Sequence, residues 1–383
     1  MEKVRLGDVF SFIRNGANIK QGLDDSGYPI TRIETISDRT VNREKMGYAG
    51  ITDVGKYDDY ILQDGDILMS HINSEKHLGK TAIYKKQKDE KIIHGMNLLC
   101  LRPDNSQILP EYAFYFLSSN DFLRQIPNIT KKSVNQASFT VTALKKLSFA
   151  KRGIDEQKKI VCELDKVTVL IDKRKQQLEK LDELVKARFV EMFGLPVSNS
   201  KNWKTEKMND IAPAVNYSGD FEETVWLLNL DMVEAQTGRI IDYLYVAEEE
   251  VGNSTCTFDT SNVLYSKLRP YLNKVVIPDR CGYATSEMIP LKPNPMKLER
   301  TYLAFMLRSD EFVNMINEKV VGAKMPRVSM GDFRGFDVPV PPIELQKQFT
   351  ALVEQTDKSK LEVQKSLEKL EVLKKALMQK YFG

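Results

Sequence analysis

The chain has 383 residues, 56 basic against 53 acidic side chains for a formal net charge of +3, 42% hydrophobic and 28% charged residues. A chain of this length buries substantial cores and predicts two or three domains, while its short, charge-interrupted hydrophobic runs exclude a membrane span and MEKVRLGDVF lacks the apolar core of a signal peptide. A cytoplasmic location is expected, and the composition supports neither a disulfide framework nor a structural zinc: Cys100, Cys162, Cys256 and Cys281 show no CxxC spacing, and His71, His77 and His94 all lie in the first quarter.

Taken from the N-terminus, the first segment, 1–153, holds 23 basic and 18 acidic groups. Short β-rich runs (GDILMS, KTAIY, NLLCLRP) are bounded by Gly, Pro, Asn and Asp, and a helix is predicted over roughly 110–125, with Tyr112, Phe116 and Leu117 on its apolar face. Segment 154–194 is balanced, with nine charges of each sign, and predicts a long helix. Ile160, Leu164, Val167, Ile171, Leu178, Leu181, Val185 and Met192 recur in alternating four- and three-residue steps, with Arg174 and Arg188 as polar interruptions. That is the spacing of a coiled-coil seam.

Segment 195–342 repeats the pattern with strand-like runs NVLYS, NKVVIP and MIPLKP and a helix over roughly 299–318, but carries 16 basic and 20 acidic groups. Segment 343–383 predicts a second long helix with a seam of Phe349, Val353, Val363, Leu367, Leu370, Leu377 and Tyr381, interrupted by Thr356, Lys360 and Lys374. Neither helix has Gly or Pro in its interior; Pro339, Pro341 and Pro342 precede the second, and Gly194 and Pro196 follow the first. At 1.5 Å per residue, about 37 residues give roughly 55 Å, more than one small domain needs.

The two halves are copies. LEKLDELVKARFVEMFG from Leu178 matches LEKLEVLKKALMQKYFG from Leu367, and the same offset pairs Ile154 with Ile343 and Gln157 with Gln346. Upstream, Tyr112, Leu117, Ser119 and Phe122 recur as Tyr302, Leu307, Ser309 and Phe312, and DILMS answers NVLYS. The expected fold is α+β: two mixed α/β globular units alternating with two long helices that pair as an antiparallel coiled coil about a pseudo-twofold, with boundaries 1–153, 154–194, 195–342 and 343–383. Such a rod with two similar heads is a measuring device.

Catalytic signatures are incomplete. SEKHLGKT at Ser74 has Ser where a phosphate-binding loop needs its first Gly and runs on into strand-like residues. His71 and His77 have counterparts among Lys267, Arg269 and Asn273, which argues for polar loop residues over metal ligands. Pro278-Asp279 and Glu156-Gln157-Lys158 are nuclease-like fragments in different parts of the repeat, and Asn294-Pro295 lacks the residues that complete a methyltransferase motif. No catalytic residue, metal site or cofactor of the chain's own is expected.

Basic, amide and aromatic side chains collect instead in the inter-strand loops. The candidates for DNA contact are Arg14, Lys20, His71, Asn73, Lys76, Lys132, Asn135 and Gln136 in the first copy, and Lys267, Arg269, Tyr271, Asn273, Lys274, Lys324 and Arg327 in the second. Arg39, Arg43 and Arg239 belong to the same loop populations. Arg and Lys satisfy phosphates and guanine acceptors, and Asn and Gln match adenine bidentately. A coiled-coil scaffold joining two protein-binding modules is the competing reading; steep loss of affinity with salt separates the two, because phosphate contacts release counterions.

VLYSKLRPYLNKVVI, GYATSEMIPLKP and GAKMPRVSMGDFRGFDVPVPPIELQKQF, together with IDEQKKI at Ile154, resemble the specificity subunits of Type I restriction-modification systems. The resemblance covers the whole chain. It implies two target recognition domains alternating with two spacer helices in a noncatalytic DNA-recognition subunit. Each domain is then expected to read one half of a bipartite, asymmetric site in double-stranded DNA, with the helices fixing the gap and binding two modification subunits. S-adenosylmethionine, ATP and Mg are expected on partners, the first on the modification subunits and the motor chemistry on restriction subunits. The first copy departs from the pattern, with HINSEKHLGK for KLRPYLNK and KKSVNQASF for GAKMPRVSM, so its half-site is expected to differ.

Overall fold

The structure, a computed structural model, describes residues 2–19, 26–36, 40–133, 136–322 and 324–383. It is a mixed helix-and-sheet fold that divides into two compact units: Met1–Arg174 with Ser366–Gly383, and Lys175–Lys365. The division falls inside both long helices, so each unit contains one globular part and a piece of each helix.

In the first unit, β1 (Glu2–Arg5), β2 (Phe10–Asn15), β3 (Ile67–Ser70), β4 (Thr81–Ile83) and β5 (Leu98–Pro103) precede α1 (Pro110–Leu117) and α2 (Asn120–Leu123). β6 (Ser148–Lys151) then pairs antiparallel with β1 and leads into α3 (Ile154–Phe193). The main sheet has the order β2-β5-β3-β4, all antiparallel. Its central strands are covered on both faces, which is why ILMS and LLCL read as unbroken apolar runs. Period-two alternation sorts them: Ile67, Met69, Leu99 and Leu101 join the core around α1, while Leu68, Leu98 and Cys100 pack with Ile36, Leu62 and Tyr84.

The second unit comprises β7 (Thr205–Lys207), β8 (Thr224–Leu228), β9 (Leu244–Ala247), β10 (Thr255–Phe258), β11 (Val263–Ser266), β12 (Val275–Val276), β13 (Gly282–Thr285) and β14 (Met288–Leu291). They are followed by α4 (Arg300–Arg308), α5 (Asp310–Asn317), β15 (Asp337–Pro339) and α6 (Ile343–Phe382). One sheet is ordered β12-β11-β14 and a second β9-β8-β13-β10, while β7 pairs with β15. The same sorting recurs: Val263, Tyr265, Ile289 and Leu291 face the helix-side core, and Leu264 and Met288 face Trp226 and Phe258.

Each helix predicted after the strands is in fact two. Ser119 accepts a hydrogen bond from the Phe122 N–H at 3.3 Å and starts α2 afresh; Ser309 does the same for Phe312 at 3.3 Å and starts α5. A capping hydroxyl outcompetes continuation of the helix, a local choice the apolar pattern does not register.

The long helices are continuous over forty residues each, Ile154–Phe193 and Ile343–Phe382. Both end at a glycine with positive φ, +77° at Gly194 and +106° at Gly383, where a Cβ would be strained. The apolar seam of α3 is buried at Ile160, Leu164, Val167, Ile171 and Val185, but Arg188 is exposed and Phe189 takes the covered position beside it. On α6, Phe349, Thr356, Val363 and Leu367 are buried.

Within the first unit, Phe382 near the end of α6 lies 5.3 Å from the Tyr112 ring and joins the core with Ile160 and Leu164. Within the second, Phe193 near the end of α3 lies 4.8 Å from Tyr302 and 5.4 Å from Phe349. The paired glutamines lock both helix starts. Gln157, fully buried, donates to the carbonyls of Gln107 and Arg152 at 3.0 and 2.8 Å and accepts from the Leu109 N–H at 2.8 Å. Gln346 donates to Lys297 and Pro341 at 2.9 and 2.8 Å and accepts from Glu299 at 2.8 Å.

Candidate nucleic-acid interface

The same two loops meet in each unit. In the second, the β11–β12 loop carries Lys267 to Lys274, and Val320–Val321 pairs antiparallel with Arg327–Val328. Backbone hydrogen bonds lace the two loops together: Arg269 N to Pro326 O at 2.8 Å and Val328 N to Lys267 O at 2.9 Å. Arg269 and Asn273 both sit at left-handed φ, +50° and +51°, which bends the loop sharply around Pro270–Leu272.

This geometry separates the candidates. Arg269, Tyr271, Lys324 and Arg327 are exposed and Lys267 is half-buried. Arg327 is steadied by an ion pair with Glu287 at 2.7 Å, while the Arg269 guanidinium has no partner among the described residues. Asn273 is turned inward, donating to the Arg308 carbonyl at 2.9 Å, and the Lys274 ammonium donates to the Leu230 carbonyl at 2.6 Å with its pKa lowered by burial. These two hold the loop from below instead of presenting to a ligand.

In the first unit, the loop after β3 contains His71 to Lys80, and its residues Ile72–Asn73 form a three-stranded ribbon with Ala137–Ser138 and Lys131–Lys132. Asn73 stands opposite Ala137, and Lys132 pairs with Glu75 at 2.8 Å. Lys76, Lys132 and Gln136 are exposed, so this ribbon gathers Asn73, Lys76, Lys132 and Gln136. Lys20, Arg39 and Asn135 lie outside the described residues.

His71 is buried against Phe139 with its Nδ1 unpartnered among the described residues, and burial pushes its pKa down to about 4. It is a neutral core group at the root of the loop, not a surface contact. Arg14 belongs to a different place, a cleft of about 390 Å³ bordered by Phe12, Asp58, Asp59, Gln63 and Arg102. Its guanidinium lies 4.8 Å from the Phe12 ring and 4.4 Å from that of Tyr60. Phe12 and Arg14 are two apart on β2 and share a face, a signal present in the sequence that singling out basic residues passes over.

Arg43 is held by Glu90 through two hydrogen bonds at 2.9 and 2.6 Å, and Arg239 by Glu234 at 2.9 Å. Among the described residues there is no group of three or more His, Cys, Asp or Glu side chains able to hold a metal ion. Among the described residues no helix is long and apolar enough to cross a membrane.

The profile of the Type I restriction modification DNA specificity domain matches residues 1–183 and 231–374. The chain is 30% identical over 403 aligned positions to the provisionally named type I restriction enzyme MjaX specificity subunit of Methanocaldococcus jannaschii, covering 97% of this chain and 90% of that one. It is 23% identical to the type I restriction enzyme EcoDI specificity subunit of Escherichia coli, over 67% of each chain. The crystal structure of the Type I restriction-modification S subunit from M. genitalium superposes with a TM-score of 0.59 at 16% identity, covering 100% of this chain and 96% of that one. The chain belongs to the Type I restriction-modification DNA specificity family. It is accordingly a noncatalytic specificity subunit, whose task in a restriction-modification complex is recognition of DNA.

Proposed function

We propose that the chain reads a bipartite, asymmetric sequence in double-stranded DNA, one half-site per globular part, within the boundaries 1–153 and 195–342. The observation that carries this reading is the recurrence in both copies of a backbone-laced loop pair presenting basic and amide groups: Asn73, Lys76, Lys132 and Gln136 in one, Lys267, Arg269, Tyr271, Lys324 and Arg327 in the other. Loops built on rigid strands are where recognition side chains belong.

The helices α3 and α6 pair antiparallel about a pseudo-twofold and set the gap between half-sites. Support comes from inside each unit, where Phe382 packs with Ile160 and Leu164, and Phe193 with Phe349. Two modification subunits dock on the helices and bring S-adenosylmethionine; restriction subunits bring ATP and Mg, and the assembly works in the cytoplasm. The repeat-equivalent leucines Leu184 and Leu373, left 52% and 46% exposed, suit docking of that kind.

The test is exchange of parts. Residues 1–150 are replaced by the equivalent segment of a relative, and methylated sites are mapped in a host that also expresses the modification partner. One half of the recognised sequence changes and the other stays. A change in both halves together defeats the reading.

A further inference from the structure

The second unit carries a sheet edge that the two-loop surface does not use. β9 is the outermost strand of the sheet β9-β8-β13-β10, and among the described residues no strand pairs with its free side. Soluble proteins blunt such edges with Lys, Pro, a bulge or a covering element. β9 has the sequence LYVA, and it pairs with β8 in unbroken register from Thr224↔Ala247 to Leu227↔Leu244. Leu244 and Tyr245 are exposed, as are Ile241 and Tyr243 just before them. Four large apolar side chains within five residues therefore stand in solvent along an open edge.

This patch is held in one geometry. Arg280 makes two hydrogen bonds to Asp279 at 2.9 Å, donates to the Tyr245 hydroxyl, and lies 5.1 Å from the Tyr243 ring centroid. Beneath it, Trp226 stands opposite Tyr245 in register, with its indole N–H buried and without an acceptor among the described residues. A surface fixed in advance loses little freedom when something binds to it.

Apart from Arg280, which is paired with Asp279, the charge around the edge is mostly acidic. Residues 220–250 contain nine acidic side chains and a single basic one, Arg239, which is paired with Glu234. The strand pairing continues the β8–β9 register so that Glu223 faces Glu248, whose N–H donates to the Glu223 carbonyl at 3.1 Å. Like charges opposed across two strands disfavour the isolated sheet and repel a phosphate backbone. A cationic partner reverses both effects.

We propose that β9 takes an extended, lysine- or arginine-containing segment of a partner protein as a fifth strand. Its main chain completes the open edge, its alternate apolar side chains lie on Tyr243 and Tyr245, and its cations reach the carboxylates flanking β8 and β9. Leu244–Ala247 belong to neither loop of the proposed DNA surface, and this proposal stands whether or not that assignment does.

The experiment uses the full chain and a fluorescent, end-blocked octapeptide alternating lysine with valine and tyrosine, read by anisotropy. Two controls replace lysine by glutamate or methylate alternate backbone nitrogens. The lysine peptide binds at least tenfold more tightly than either control and loses at least tenfold when Leu244→Lys and Tyr245→Lys are combined. If that variant misfolds, Glu222→Lys with Glu249→Lys, both at exposed positions, gives the same loss. Duplex DNA binding stays within about twofold in both variants. Equal binding of the lysine and glutamate peptides overturns the proposal, as does equal binding of the methylated peptide or undiminished binding to a folded variant. A tenfold loss of DNA binding by a folded variant overturns it too, since the edge then belongs to the DNA surface.

Discussion

The two units share a frame and differ in what the frame carries. In both, a buried glutamine at the start of a long helix makes the same three hydrogen bonds, and a buried tyrosine donates to a strand carbonyl, Tyr112 to Ala150 at 2.7 Å and Tyr302 to Pro339 at 2.9 Å. In both, a helix-ending phenylalanine closes the core. Around this frame the first unit places its buried histidines and an arginine between two aromatic rings, while the second builds a four-stranded sheet with an acidic, aromatic edge. Buried groups that satisfy one another tolerate little change; exposed loops and edges tolerate much. Duplication therefore leaves the frame alike and lets the surfaces diverge.

The sharpest way to break this comparison is acid. All three histidines lie in the first unit; His71 and His94 are buried, with burial lowering their pKa values to about 4 and about 3. His94 donates from Nε2 to the Leu98 carbonyl at 2.8 Å, and its Nδ1 meets no partner among the described residues. A group whose folded pKa is depressed binds its proton more readily when unfolded, so stability is present above pH 6.5 and is lost as pH falls toward 4 and then 3. At pH 5 His94 removes about 2 kcal/mol, and His71, less completely enclosed and screened in part by solvent, removes less than that. Hydrogen exchange at pH 7 and pH 5, corrected for intrinsic rates, should show β3 and β5 losing protection while β11 and β14 keep theirs. Equal loss in both units would mean that these histidines do not set the difference.

The second test addresses the shared part. Gln157→Ala strands the Leu109 N–H and two carbonyls, and Gln346→Ala strands the Glu299 N–H and two carbonyls. Unmet buried groups cost about 1–3 kcal/mol, and each substitution is expected to destabilise its own unit by about 3 kcal/mol. Urea titrations of the two variants, followed by unit-resolved proteolysis, should give matching losses in opposite units. A loss in only one would show that the equivalence is geometric and not energetic.

Much of the shared frame was legible because repetition marks it twice. The seam positions, the paired glutamines and the Tyr112 face all recur at nearly constant offset, and burial follows the three- and four-residue steps along both helices. What was not legible depends on partners far along the chain or on side-chain direction. Arg43 stands among exposed-looking loop residues until Glu90, 47 positions away, is seen to hold it. Asn273 and Arg269 lie in one short loop at similar left-handed φ, yet one side chain is buried and the other exposed, which residue type alone does not decide. The β9-β8-β13-β10 sheet arises in the segment where the two copies match least, so no second example was present to reveal it.

The finest discrimination lies inside the second unit's loop, where exposed and inward residues should fail differently. Arg269→Ala removes a guanidinium without a partner among the described residues, so it should leave folding unchanged and weaken duplex binding by about 1–3 kcal/mol if it contacts a base. If it contacts phosphate, the loss should be uniform across sequences, and the slope of log affinity against log salt should fall in magnitude by about one. Lys324→Ala should follow the phosphate pattern, its ammonium being a point charge in place of a planar fork. Asn273→Ala instead removes the hydrogen bond to the Arg308 carbonyl, so about 1 kcal/mol should appear in thermal unfolding, with the salt slope unchanged. Anisotropy titrations at four salt concentrations, beside melting curves for all three variants, separate these outcomes. A salt slope altered by Asn273→Ala, or a melting shift from Arg269→Ala with intact binding, would reverse the assignment of outward and inward residues on which the loop's role depends.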